Sequence, residues 1–225
     1  MNTCIVIPTF NESKAIARLI EEIKALNLNL RILVIDDGSE DDTSRIAAEH
    51  GASVLRNEKN QGKGASLIKG FDYALQNNFA AVITMDGDGQ HLPQDIPHFL
   101  RMAEFSGSQI FVGNRMQTAK NMPLVRMLTN KFMSWLISLI IKQEINDTQC
   151  GFRLIKRQAL EKIKLSATKY ETESELLIRG ARSGFRIESV SIKTIYGSQK
   201  SRINPLWDTL RFIGFIMKET WISRS

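Results

Sequence analysis

With 225 residues, 43% of them hydrophobic and 24% charged, the chain is long enough for one sizeable core and does not look disordered, collagen-like or disulfide-stapled. Its formal charge of +6, from 30 basic and 24 acidic residues, favours anionic partners such as phosphates, nucleic acid or a lipid surface. Cys4 and Cys150 show neither CxxC nor zinc spacing and suit a reducing, cytoplasmic compartment.

The N-terminus "MNTCIVIPTFNE" lacks a basic leader and its apolar run is cut at Pro8, so it does not read as a secretory signal. The first half then alternates. A strand "CIVIP" is followed by a helix from about Ser13 to Ala25, a strand "RILVID", a helix after Asp41, a short strand "ASVLR", a helix "GASLIKGFDYAL", a strand "AAVITM", a helix after Asp95 and a strand "IFVG". This interleaving predicts an α/β fold with a mostly parallel sheet and helices on both faces. In such sheets ligands bind beyond the carboxyl ends of the strands, where this chain carries "PTFNE", "DDGSEDD", "DGDGQH" and "GNR". The second half predicts a long apolar-rich helix from Leu124 to Ile141, a strand "CGFRLI", a helix from Glu173 to Ser183, a strand "RIESVSI" and a closing helix near Trp207 to Trp221. No repeat or Gly/Ser linker divides the chain, so one domain is expected. No apolar run approaches the roughly 18 residues that span a bilayer; "FMSWLISLII", Phe132 to Ile141, can lie on one.

Asp86, Asp88 and Gln90 place three hard oxygen donors at alternate positions after a buried strand, with Gly87 and Gly89 letting the backbone turn, a pattern that suits Mg²⁺ or Mn²⁺ better than a mere polar turn. An EF-hand loop fails, because His91 stands where it needs glycine and Pro97 where it needs glutamate. One strand earlier, Asp36 and Asp37 end a strand, Ser39 is expected as an N-cap, and Asp37 is the candidate for a nucleotide base or ribose. "NQGKGAS" fits neither a Walker A loop nor GxGxxG; Lys63 is either a rim residue or solvated. Arg115, after a strand end, is placed to grip a phosphate or to form a surface ion pair. Together these residues point to a nucleotide diphosphate site.

The ordered set "VIPTFNE", "VIDDGSEDDT", "NQGKGASLIKG", "MDGDGQH", "VGNRM", "DTQCGFRLIKR", "YETESELLI" and "IYGSQKSRINPLWDTLRF" resembles glycosyltransferase family 2, and most closely the catalytic domain of dolichyl- or polyprenyl-phosphate sugar synthases. The resemblance implies a GT-A fold over residues 1–225, with 1–115 as the nucleotide-sugar half and 116–225 as the acceptor half. It implies Pro8, Thr9, Glu12 and Asp37 around the donor base and ribose, Asp86, Asp88 and Gln90 on the metal, and Arg115 on phosphate at the reaction centre. Lys63 joins the donor set, Lys200 and Arg202 would close over it, and Arg126 and Asn130, one helical turn apart, would receive an acceptor phosphate. Asp88, Arg115 and Asp147 form the catalytic set.

The expected reaction is inverting transfer of a hexose from a UDP- or GDP-sugar to a polyprenyl phosphate. The rival is a family 2 transferase acting on a hydroxyl of a glycan or glycolipid, which would need a base; Asp147 and Glu173 are the candidates, though each reads more readily as a structural hydrogen-bonding group. A non-catalytic nucleotide-sugar module is the third reading. Nucleic acid is not expected as a partner, because no aromatic-basic interleaving joins the net charge. Pro123 to Lys142 and "WDTLRFIGFIMKETW" mix apolar faces with basic residues, which suits a membrane surface as well as core or dimer packing. Relatives carry C-terminal membrane helices; without them, the expectation is peripheral attachment to the inner face of the cell membrane, or a membrane-protein partner or second copy.

Overall fold

The computed structural model describes residues 1–116, 122–169, 171–193, 214 and 216. Lys200, Arg202 and the closing helix expected over 207–221 fall outside them, apart from two helical positions at 214 and 216. Seven strands form one sheet: β1 (Thr3–Thr9), β2 (Leu30–Asp36), β3 (Ser53–Arg56), β4 (Ala81–Thr84), β5 (Ile110–Asn114), β6 (Arg153–Lys156) and β7 (Ile187–Ser191), in the order β3-β2-β1-β4-β6-β5-β7. All pairings are parallel except those of β6, which runs antiparallel between β4 and β5. The helices are α1 (Ile16–Lys24), α2 (Thr43–Glu49), α3 (Lys63–Gln76), α4 (Ile96–Phe105), α5 (Leu124–Ile141), α6 (Arg157–Lys162) and α7 (Glu171–Arg182).

β1, β4 and β5 are buried along their whole length, as unbroken apolar runs in a sheet covered on both faces must be. Right-handed crossovers put α1 and α2 on one face, where they touch each other, and α3 on the opposite face, where it meets α6 and α7. α1 buries Ile16, Leu19, Ile20 and Ile23, the 3.6-residue stripe of an amphipathic helix. α3 comes close enough to β1 that a Cβ on Gly70 would sit 2.3 Å from Val6 Cγ1, so only glycine allows that approach. Phe99 of α4 stacks on Phe152, just ahead of β6, at 4.5 Å.

Three local expectations are corrected. Ser39 is not an N-cap: its Oγ accepts the Asn11 N–H at 2.9 Å, and α2 starts later, where Asp41 Oδ1 accepts Thr43 N at 3.0 Å. The six-residue α6 was not foreseen, being too short to carry a periodic signal. The long helix expected over Leu124 to Ile141 is found with those bounds as α5, but the reading that no apolar run approaches bilayer length is corrected, because Phe132 to Ile141 continues one helix with Arg126, Thr129, Asn130 and Lys131. At 18 residues with mean hydropathy 1.4 it is apolar enough to cross a membrane by length and composition alone. One side of it is anchored to the segment that follows: Ser134 Oγ accepts Thr148 N at 2.9 Å and Ser138 Oγ accepts Ile145 N at 3.0 Å. Its outer side leaves Leu124, Val125, Leu128, Phe132, Trp135 and Leu139 exposed.

Candidate functional site

Because β1, β2, β4 and β5 point the same way, their carboxyl ends deliver Pro8 and Thr9, Asp37, Asp86 to Gln90, and Arg115 to one rim. The loop after β4 is pressed onto the end of β1. A Cβ on Gly87 would lie 2.7 Å from Thr9 Cγ2, 3.4 Å from Pro8 O and 3.6 Å from Glu12 Cγ, so the acidic loop abuts Pro8, Thr9 and Glu12. Gly89 takes φ 71, and Gln90 N donates to Asp88 Oδ1 at 3.0 Å, which sets the turn.

Asp37 is buried, and its carboxylate accepts from Asn57 Nδ2 at 2.8 Å, Gln61 N at 2.9 Å and Gly62 N at 2.8 Å. It therefore shapes the segment that leads into α3. With up to four acceptor positions on a carboxylate, it keeps capacity for a ligand donor. Asp36 is structural: it accepts from Ser39 N at 2.8 Å and from Ser44 Oγ.

Lys63, at the start of α3, belongs to the site and is not a solvated lysine. Its Nζ lies 2.5 Å from Asp86 Oδ1 and 2.9 Å from Glu173 Oε1. Burial opposes the Lys63 charge, yet the two carboxylates outweigh it and hold the amine above the usual lysine range. Burial would also raise Asp86, but Lys63, His91 and Arg115 keep it ionised well below the usual carboxylate range. Asp88 is shifted upward, first by burial and then by the charge of Asp86. His91 accepts Asp86 N at 3.3 Å through Nδ1 and is pushed towards its neutral form mainly by burial.

Arg115 is buried and bound by Asp147: Nε donates to Oδ2 at 2.7 Å, Nη2 to Oδ1 at 2.8 Å, and the backbone N to Oδ2 at 3.1 Å. Asp147 thus fixes the plane of the guanidinium. Arg126 and Asn130 lie on α5, whose Ser134 and Ser138 anchor it to the segment that carries Asp147. Asn130 Nδ2 is buried with no hydrogen-bond partner among the described residues.

A divalent cation suits this donor set. Asp86, Asp88 and Gln90 are partly exposed oxygen donors, Asp86 already attracts an ammonium, and a Cβ on Gly151 would lie 2.7 Å from both Asp86 oxygens, so glycine keeps space at that carboxylate. Among the described residues no three His, Cys, Asp or Glu side chains converge as a complete cage. The partial set matches a small hard ion that completes its shell with water and substrate phosphates.

From the sequence, Glu173 reads as a structural hydrogen-bonding group or a candidate base, and Arg153 was missed. Arg153 is a fully buried cation in β6 that donates to Cys150 O at 2.8 Å, Thr148 O at 2.7 Å and Glu173 O at 2.5 Å. An arginine between Phe152 and Leu154 in an apolar strand was the signal.

The glycosyl transferase family 2 model matches residues 4–164. The UDP-N-acetylglucosamine–dolichyl-phosphate N-acetylglucosaminyltransferase of Methanococcus voltae is 30% identical over 214 residues, covering 85% of each chain. The polyprenol monophosphomannose synthase of Mycolicibacterium smegmatis is 29% identical over 202 residues, covering 84% of this chain and 76% of that one. Among solved structures, glucosyl-3-phosphoglycerate synthase from Mycobacterium tuberculosis, in complex with Mn²⁺, UDP and phosphoglyceric acid, has a TM-score of 0.69 at 22% identity, over 88% of this chain and 72% of that one. With the family model covering most of its length and this sheet beneath it, the chain belongs to glycosyl transferase family 2 and is a glycosyltransferase of the GT-A fold.

Proposed function

We propose that this glycosyltransferase moves a hexose, with inversion, from a UDP- or GDP-sugar to a polyprenyl phosphate. It would work with Mg²⁺ or Mn²⁺, bound peripherally to the cytoplasmic face of a membrane. The names of both relatives, one specifying dolichyl phosphate and the other polyprenol monophosphomannose, support the acceptor class.

The observation that carries the reading is the commitment of both candidate bases. Asp147 is held by Arg115, and Glu173 by Lys63. A hydroxyl acceptor needs a carboxylate to take its proton, whereas an acceptor phosphate is already ionised near neutral pH and needs none. Its oxygen attacks the anomeric carbon while the bond to the donor diphosphate breaks, and the departing nucleoside diphosphate keeps the electron pair. Asp86, Asp88 and Gln90 would hold the cation. When bound, that cation supplies Lewis-acid stabilisation of the leaving diphosphate. Arg115, oriented by Asp147, stabilises negative charge at the reaction centre. Arg126 and the unsatisfied Asn130 Nδ2 are assigned to the acceptor phosphate. The exposed apolar stripe of α5 supports contact with a lipid surface.

Calorimetric titration of UDP and GDP with and without Mn²⁺, followed by transfer to a short polyprenyl phosphate, tests the proposal. Metal-dependent binding of one nucleotide with transfer is expected. Asp88→Ala should abolish metal-dependent donor binding and leave the circular dichroism spectrum intact. Unchanged donor affinity in that variant overturns the site assignment, and donor binding without transfer to lipid phosphate moves the acceptor to a hydroxyl.

A further inference from the structure

The acidic rim carries a cation of its own. Lys63 Nζ contacts Asp86 Oδ1 at 2.5 Å and Glu173 Oε1 at 2.9 Å, so the ammonium occupies the carboxylate that a divalent ion would share. The backbone beneath it is clamped. Gly62 takes φ 101, and a Cβ there would lie 2.5 Å from Thr168 O; a Cβ on Gly64 would overlap Thr172 Oγ1; and Ala65 N donates to Thr168 O at 3.1 Å. The root of Lys63 is therefore fixed, while its ammonium rides on a flexible four-carbon stem. It can leave Asp86 without any movement of α3, and Glu173 remains as its second partner.

Charge decides when it leaves. The Lys63 ammonium touches two carboxylates, Asp86 and Glu173, and the Asp88 carboxyl stands two residues from the first. A bare divalent ion must share Asp86 with the ammonium and meets its repulsion at contact distance. A nucleoside diphosphate changes this, because its phosphate oxygens offer the ammonium a new anion and complete the partial ligand set of the metal.

We infer that Lys63 is a built-in competitor of the divalent cation for Asp86, released by the donor diphosphate, so that metal and nucleotide load together and free metal is held off. The inference rests on the metal-dependent donor site proposed above.

The test is Mn²⁺ binding, read by electron paramagnetic resonance of the free aqua ion, with no nucleotide and with saturating UDP or GDP. In the wild type, nucleotide should tighten Mn²⁺ by about tenfold or more. Lys63→Met should bind Mn²⁺ about tenfold tighter than the wild type without nucleotide, and by reciprocity its metal–nucleotide coupling should shrink to match. Lys63→Gln, which keeps a polar group between the two carboxylates, replaces the methionine variant if that one fails to fold. Mn²⁺ affinity without nucleotide that is unchanged or weaker in the folded variant, while the wild type binds Mn²⁺ with nucleotide, overturns the role of Lys63 alone. Absence of Mn²⁺ binding by the wild type with either nucleotide overturns the metal-dependent site and this inference with it.

Discussion

Asp147 accepts three hydrogen bonds from a single residue, Arg115, and its role follows from that. Asp147→Asn leaves a buried guanidinium without its counter-charge, and the expected loss is about 3–5 kcal/mol of stability, measured by urea unfolding. If Asp147 only orients Arg115, the variant lowers kcat without moving its pH profile; loss of an acid limb would instead mark Asp147 as a base. Asp41 gives a pH-dependent case. Burial would raise its pKa, but hydrogen bonds from Thr43 and Ser13 outweigh it and lower the group from 3.8 to about 2. A depressed carboxylate stabilises the fold above its unfolded pKa and loses that contribution as pH falls through the folded value. Asp41→Asn is therefore expected to cost about 1 kcal/mol at neutral pH, a difference that shrinks as pH falls through the folded value and is gone only below it, as denaturant midpoints measured down the acid range will show. Asp86, Asp88 and Arg115 were legible because each follows a buried strand, where a polar cluster has few structural reasons to stand. Their partners were not. Asp147 lies 32 positions from Arg115, and no local pattern joins them.

α5 concentrates what a single element can reveal. Its stripe of Leu128, Phe132, Trp135 and Leu139 follows helical spacing, yet the opposite side, with Asn130, Met133, Ser134 and Ile137, is the buried one. Composition alone could not assign the two sides, because both are rich in apolar atoms. Trp135 is 60% and Leu139 62% exposed, so Trp135→Ser and Leu139→Ser should leave the melting temperature nearly unchanged. Each should weaken binding to lipid vesicles by about tenfold, measured by co-sedimentation. Vesicle affinity equal to the wild type would assign the stripe to protein contact. The direction of β6 was equally hidden, since a period of two is the same for parallel and antiparallel strands. The helix after Asp41 was placed correctly, but its cap was not, because Ser39 turns to Asn11, a partner 28 positions away.

At the scale of the molecule the two halves share one sheet. β6, from the second half of the sequence, lies between β4 and β5 from the first half, and Arg153 within it ties the loop at Thr148 and Cys150 to the first turn of α7 at Glu173. Arg153→Met would take the donor from the buried carbonyls of Thr148 and Cys150 and cut the tie to Glu173 O; a loss of about 3–5 kcal/mol is expected, in one cooperative urea transition with unchanged slope. Two separate transitions would mean that the halves fold independently. The alternation of strands and helices made the parallel β1 to β4 core readable, but the insertion of β6 depends on long-range pairing that sequence spacing does not encode. That insertion also sets a timetable for the nascent chain. On the ribosome, β1 to β4 are complete while Ala81–Thr84 still presents a bare strand edge, and the strand that covers it is made only after α5. A chaperone that shields strand edges would be needed in the interval between synthesis of β4 and of β6.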